Sequence, residues 1–484
     1  MIRRERAIVV IMFLLLSSLT AWPQQSRKDW EALNKELMTL YQKGDYDQAV
    51  VIANQALEVA EKDHGKDHPT VATSLNNLAM LYLSLAKYSE AEPLFKRSLA
   101  ITEKSFGPNH PNVATCLNNL AMFYASQGQS AQAEPLFKRS LAITEKAFGP
   151  DHPELTSSLN GLAGVYQSQG QIAQAEQLYK RSLSITEKAL GPNHPEVAAT
   201  LTNLATLYQL QGRYEQAEPL FKRSLDITEK AFGPDHLEVA SSLNTLAKFY
   251  HLQGQIAQAE PLYVRSLAIT ERTLGPDHQD VATCLNNLAA LYHSQGKFAE
   301  AEPLFKRALS ITEKVLGPDH PDVAICLNNL AALQRNQYRY TQAEPLFKRA
   351  LAIDEKAFGP HHISVAIDLN NLADLYQSQS QYLQAEPLYQ RSLTIKEEVY
   401  GPNHPEVATS LNNLASLYQL QGQYEKAEPL FKRSLEIREK TLGPNDLEVA
   451  TSLENIALLY RLTNRTKEAD LLDKRAGEIR SAKK

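Results

Sequence analysis

The chain has 484 residues, 43% of them apolar and 22% charged, and its 50 Lys and Arg are outnumbered by 55 Asp and Glu. A net charge of −5 offers no basic surface for nucleic acid. The three cysteines, Cys116, Cys284 and Cys326, lie too far apart in sequence for a metal knuckle, and their odd number does not suit a disulfide framework.

The first element is unlike the rest. Arg3, Arg4 and Arg6 precede an almost wholly apolar stretch, Ala7–Trp22. A basic head followed by a short apolar run has the form of a secretory signal peptide. The run holds 16 residues, short of the roughly 20 that a membrane-spanning helix needs. Residues 1–25 therefore read as a signal peptide cleaved after Ala21, or as a retained N-terminal anchor. Either places residues 26–484 outside the cytoplasm, in a periplasm, at the cell surface or secreted.

From there one unit is copied. A glycine recurs every 42 residues from Gly65 and Gly107 through Gly401 and Gly443, without slippage. Apart from Pro23, every proline falls in one of three slots, those of Pro108, Pro111 and Pro93. In the unit 69–107, Leu75, Leu78, Ala79 and Tyr82 form one apolar stripe at helical spacing, and Ala91, Leu94, Phe95, Ser98, Leu99 and Thr102 form a second. Gly107 is expected at a left-handed cap and Pro93 in the first turn of the second helix, where a missing N–H costs little. Asn109, or Asp in its slot, is a candidate cap for the next helix. Each unit thus reads as helix, tight turn, helix and short Gly-Pro loop. Two such helices cannot bury two stripes alone, so neighbouring units must stack. Eleven pairs are expected: a degenerate one over about 30–64, regular ones over about 67–442, and a degenerate, charged cap over about 446–480.

Leu75, Leu78, Ala79, Tyr82, Ala91, Phe95 and Ser98 make the unit resemble the tetratricopeptide repeat. The strings LNNLA, HPEVATSLNNLA and QGQYEKAEPLFKRSLEIREKTLGP make it similar to the 42-residue repeats of kinesin light chains and their bacterial relatives. The resemblance implies an all-α, right-handed superhelical solenoid with the first helix of each pair lining a concave groove. It implies a role in binding proteins or peptides, with no reaction attached. The heptad segment by which kinesin light chains join the motor is missing here, so the motor role is not carried over.

LNNLA raises its own question, since Asn is a poor helix former. At about 100° per residue, Asn77 lies some 200° from Leu75, opposite the buried stripe. Its slot holds Asn77, Asn119, Asn203, Asn287, Asn329, Asn371, Asn413 and Asn455, with Lys35, Gly161 and Thr245 as exceptions. In related repeat proteins Asn here reaches the main chain of an extended peptide, and an amide can both donate and accept. These eight are the candidate peptide-binding residues. The alternative is that duplicated repeats copied them without purpose, and the neighbouring Asn76 slot could bridge helices structurally. Around them lie Thr73, Thr115, Ser241, Thr283 and Thr409, with Gln167, Gln209, Gln377 and Gln419 nearby. Lys248, Arg335, Asp374 and Arg461 are the few charges, and Met80, Met122 and Leu458 the candidate apolar pockets. Such a groove favours extended internal segments or glycans over acidic tails.

The histidine row from His68 to His404 sits in loops of successive repeats. Packed helices lie roughly 8–10 Å apart, too far for ligands of one zinc, so helix capping is expected and no metal or cofactor. The recurring Phe-Lys-Arg string, as at Phe95–Arg97, reads as a solvated outer stripe with Glu92 paired to Lys96. Ser98 and the cysteines are expected as small helix residues, the latter partly buried. No Ser-His-Asp order, Walker loop or HExxH is present, so no enzyme is expected. The sequence reading is an exported scaffold for peptides or proteins, with an architectural or self-assembling surface spacer as the alternative.

Overall fold

The computed structural model describes residues 24–482. The expected signal segment or anchor, residues 1–25, lies outside them except for Gln24 and Gln25. Among the described residues there are 22 α-helices and no strands, and no helix is long and apolar enough to cross a membrane.

The described residues divide into two compact units, 24–326 and 327–482. In the first, α1 (Gln24–Lys43) pairs with α2 (Tyr46–His64), α3 (Pro69–Ser84) with α4 (Tyr88–Phe106), and α5 (Pro111–Ser126) with α6 (Ser130–Phe148). There follow α7 (Leu155–Ser168) with α8 (Ile172–Leu190), α9 (Pro195–Leu210) with α10 (Tyr214–Phe232), and α11 (Leu237–Leu252) with α12 (Ile256–Leu274). Then come α13 (Gln279–Ser294) with α14 (Phe298–Leu316), and α15 (Pro321–Asn336), which carries the boundary. The second unit continues with α16 (Tyr340–Phe358), α17 (Ile363–Ser378) with α18 (Tyr382–Tyr400), α19 (Pro405–Leu420) with α20 (Tyr424–Leu442), and α21 (Leu447–Leu462) with α22 (Thr466–Ala482).

Local chemistry sets the ends of these helices, and in three places it differs from the expectation. Two caps were expected for the regular odd-numbered helices, the loop histidine and the preceding Asn or Asp. The histidine is the one that bonds in α3, α5, α9, α11, α13, α17 and α19, and the Asn or Asp expectation is overturned. His110 Nδ1 accepts the N–H of Asn112, and His194 that of Glu196. The helix then starts with Pro111 or Pro195, whose missing N–H has no partner to lose. In the last pair Asp446 takes over, accepting from Glu448 N–H at 2.9 Å. The second correction concerns Gly107, which has φ 87° and ψ 156° and so is not in the left-handed helical region. It occupies the extended positive-φ region that is essentially open only to glycine. The left-handed position falls instead in the turn within each pair, at Gly128 with φ 71°. There Gly128 N–H and Gln129 N–H return to Ala125 and Tyr124 carbonyls, a Schellman closure. Third, Pro93 lies inside α4, beyond its first turn, because the helix already begins at Tyr88. The unused carbonyl, that of Ser89, is on an exposed residue where water reaches it.

The core is the expected pair of stripes. Leu75, Leu78, Ala79, Ala91, Phe95, Ser98 and Thr102 are all buried, with Leu94 and Leu99 half-buried beside them. Ser98 is small so that the helices can approach, and its hydroxyl donates to Ala72 O at 2.8 Å. The same bond recurs from Ser140 to Ala114 and from Ser434 to Ala408.

Within the first unit, successive odd-numbered helices touch each other, α5 with α7 and α11 with α13 among them. The Asn–Asn bonds described below also join odd helices to odd helices, so these helices form the inner side of the stack. The unit winds until it meets itself. Ser84 O at the end of α3 lies 3.1 Å from His320 Nε2. Val315 and Leu316 pack against the core that contains Leu37, Tyr46 and Leu78. A methyl group on Gly44 would come within 3.3 Å of His278 Nε2. His278 and His320, alone in the histidine row, are buried there.

A candidate protein-binding face built on the asparagines

The structure accounts for two asparagines per repeat. Asn77 Nδ2 donates to Asn34 Oδ1 at 3.0 Å, and Asn119 Nδ2 to Asn76 Oδ1 at 2.9 Å. Asn287 donates to Asn244 at 3.0 Å, Asn413 to Asn370 at 2.9 Å and Asn455 to Asn412 at 2.7 Å. The second asparagine of one repeat thus bonds the first asparagine of the repeat before it. These bonds join side chains across repeat junctions. The pairing answers why LNNLA keeps both residues.

It also corrects the expected geometry. The residues were placed opposite the core, yet Asn77 is only 2% exposed, and the other seven are half-buried. A wheel drawn for one helix pair counts one buried face. An inner helix in a stack also meets the inner helices on either side, which leaves only a narrow strip for solvent. Asn77 is therefore not a groove-facing residue. Asn119, Asn287, Asn413 and Asn455 reach the inner strip with one donor already committed. Asn329 takes part in interactions of its own.

Two of the eight stand apart, because their would-be partners have turned away. Asn160 donates to Thr200 Oγ1 at 3.4 Å and not towards Asn203. Asn328 donates to Asp368 Oδ1 at 2.6 Å, and Asn371 forms no rung with it. Asn203 and Asn371 keep a half-buried amide with both functions uncommitted.

The charges on this face are mutually satisfied in the second unit. Arg335 Nη1 lies 3.4 Å from Asp374 Oδ2, and Tyr389 Oη donates to Asp374 Oδ1. Burial pushes the Asp374 carboxyl up, against the lowering effect of the Tyr389 bond and of Arg335. Of the expected apolar pockets, Met80 is buried and Leu458 exposed. Leu210 and Leu252, each 60% exposed at the ends of α9 and α11, are a further apolar pair on neighbouring repeats.

The outer stripe carries ties that the sequence reading missed. Lys96 pairs with Glu92 as expected, at 2.6 Å. Arg97, however, reaches Glu61 of the preceding repeat at 2.6 Å. Arg181 likewise meets Glu145, and Arg433 meets Glu397 at 2.7 Å while also donating to Pro402 O. Tyr124 Oη donates to Glu92 Oε1 at 2.8 Å, and Tyr250 to Glu218 at 2.9 Å. The signal was present in the constant 36-residue spacing of Glu and Arg, which a single-repeat view does not join. The three cysteines are buried. Burial raises the thiol of Cys326 to about 12, the Thr312 hydroxyl opposing, so it is an inert helix residue.

Against known proteins, the tetratricopeptide repeat model matches in overlapping segments from 38–104 to 406–482. The chain belongs to the tetratricopeptide repeat family. No curated protein matches the sequence. A Podosopora anserina chain with nearly identical TPR-like repeats of kinesin light chain type is 30% identical, covering 43% of this chain and 98% of that one, with a TM-score of 0.36. BtubC (BKLC) from P. vanneervenii is 23% identical over 48% of this chain and 91% of its own, with a TM-score of 0.39. A Rap protein complexed with Competence and Sporulation Factor is 16% identical over 77% and 99%, with a TM-score of 0.50.

Proposed function

We propose that the chain is an exported, non-enzymatic scaffold that holds extended segments of partner proteins along the inner face of its odd-numbered helices. The observation that carries this reading is the pair Asn203 and Asn371, half-buried amides that take no part in the inter-repeat rungs. An amide in a semi-enclosed strip can donate to and accept from a peptide group whatever that residue's side chain. Around them the face is polar, and in the second unit Arg335 is paired with Asp374 and Arg461 with Asp473, which suits internal segments better than acidic tails. Export rests on residues 1–25 alone, and the mature N-terminus of the secreted or envelope-associated protein tests it. A chain that begins at residue 1 and stays in the cytoplasm removes that part of the reading.

The alternative is an architectural spacer, favoured by the use of Asn77, Asn119, Asn413 and Asn455 as internal ties. One experiment separates the two. The pair Asn203→Ala and Asn371→Ala is compared with Asn119→Ala and Asn413→Ala in retention of partners from the extracytoplasmic fraction and in thermal melting. A binding face predicts that the first pair loses a defined partner with unchanged melting, while the second pair melts earlier. If the first pair retains the same proteins as the unaltered chain, the spacer reading replaces the scaffold.

A further inference from the structure

The first unit closes on itself along a seam. The turn edge of its first two helix pairs, at Gly44 and Ser84, meets the Gly-Pro loops that follow its sixth and seventh, at His278 and His320. The His320 ring serves both sides of the seam. Its Nδ1 accepts the N–H of Asp322 at 3.1 Å, capping α15, and its Nε2–H donates to Ser84 O at 3.1 Å. Val315 stands where earlier copies hold Ser105, Ala147, Ala189 and Ala231, all exposed, yet it is half-buried against the core of Leu37, Tyr46 and Leu78. Leu316 beside it is half-buried too, whereas Phe148, Leu190 and Phe232 in its slot are 45%, 39% and 42% exposed.

The seam differs from a junction between neighbouring repeats. Between Lys43 and the loop Leu274–His278 it holds a crevice of about 310 Å³, so the two sides are not close-packed there. Ser84 and His320 are 236 residues apart in the chain, and the repeats between them are tied to one another independently of the seam. Arg223 keeps Glu187 and Arg265 keeps Glu229, each at 2.7 Å, whether or not the seam is shut. Each repeat of such a stack rests only on its neighbours. Small rotations shared among the junctions therefore part the seam while every helix pair stays folded.

We propose that this seam is the entry gate of the first unit: shut, it closes the side of the inner face that carries Asn203, and its parting admits an internal segment of a partner protein. A segment flanked by folded domains has no free end to thread, so it reaches that face only from the side. The gate rests on the inner face being the binding face, and it is independent of the export reading.

Access to the face tests it in the full chain. Thr206→Cys places a thiol on α9 three residues beyond Asn203, while the three native cysteines are buried. Its labelling is measured with N-ethylmaleimide and with a maleimide set midway in a flexible linker between two folded domains. Gly44→Tyr supplies a wedge. Tyr338 holds φ 61° in the same slot, so the turn accepts the residue, and an added Cβ would meet His278 Nε2 at 3.3 Å and Val315 Cγ1 at 3.9 Å. An open state of the usual minor population, about 0.1–10%, means that the wedge should speed the linker probe at least about tenfold and leave N-ethylmaleimide unchanged. Val315→Lys, at a slot exposed in the earlier copies, should act alike and decides the matter if the wedge disturbs the α1–α2 turn. A linker-probe rate that neither substitution raises overturns the gate. The labelling reads access and not affinity, so a chain that passes this test yet retains no partner fails the scaffold reading alone.

Discussion

An amide that bonds another amide one repeat away does a different job from one that waits for a ligand, although the two look alike in sequence. Asn413→Ala removes the donor and leaves Asn370 Oδ1 without its bond, so a loss of about 1–3 kcal/mol is expected in chemical denaturation. Asn371→Ala breaks no rung and should cost less than about 0.5 kcal/mol. Backbone conformation makes a second residue-scale case. Ala86 and Ser380 hold φ values of 54° and 57° in the slot that Gly128 fills elsewhere. Replacing either by Gly relieves a left-handed strain of about 1–2 kcal/mol, offset in part by the greater freedom of Gly when unfolded. A net gain of up to about 1 kcal/mol should appear as a raised midpoint. At Gly107 no atom would crowd an added Cβ, yet Gly107→Ala should cost about 1–3 kcal/mol, because its φ and ψ alone exclude a side chain. Leu78→Ala, a truncation within the buried stripe, should cost about 2–5 kcal/mol.

For a whole helix, the histidine cap makes stability depend on acidity. His404 is pushed below the usual imidazole range, first by burial, then by Lys396, with Glu406 opposing. Its Nδ1 accepts the N–H of Glu406 and can do so only while that nitrogen is unprotonated. A lowered folded-state value means that the unfolded chain binds the proton more readily. The cap's contribution is therefore complete above about pH 6.5 and is lost as pH falls through the depressed value. His404→Asn should keep a cap of about 1 kcal/mol and flatten the dependence of α19 exchange on pH below 6.5. The elements were legible because their periodicity, Gly-Pro loops and turn residues repeat without slippage. Their ends were less so. His110, not Asn109, caps α5, and a Pro93 inside α4 cannot be told from one in its first turn until the helix start is fixed at Tyr88.

Across the molecule, repetition made the fold readable and at the same time obscured the site. Any residue useful in one junction is copied to the others, so recurrence of Asn77 and its equivalents could not distinguish a tie from a binding group. What separates them is a deviation: Thr200 and Asp368 draw Asn160 and Asn328 away and leave Asn203 and Asn371 open. The Arg97–Glu61 ties escaped notice because they join different copies of the unit. Being partly exposed, each should contribute only about 0–1 kcal/mol, and Arg97→Ala should shift melting little. The meeting of Ser84 with His320 has a consequence of another kind. A stack of like units can in principle gain or lose a copy anywhere, since every junction is the same. Where the first unit joins its own beginning, the copies between are counted. Excising one 42-residue block between those two positions leaves each local junction intact but presents a different loop to the end of α3. Within this closed turn the length of the chain is part of its shape.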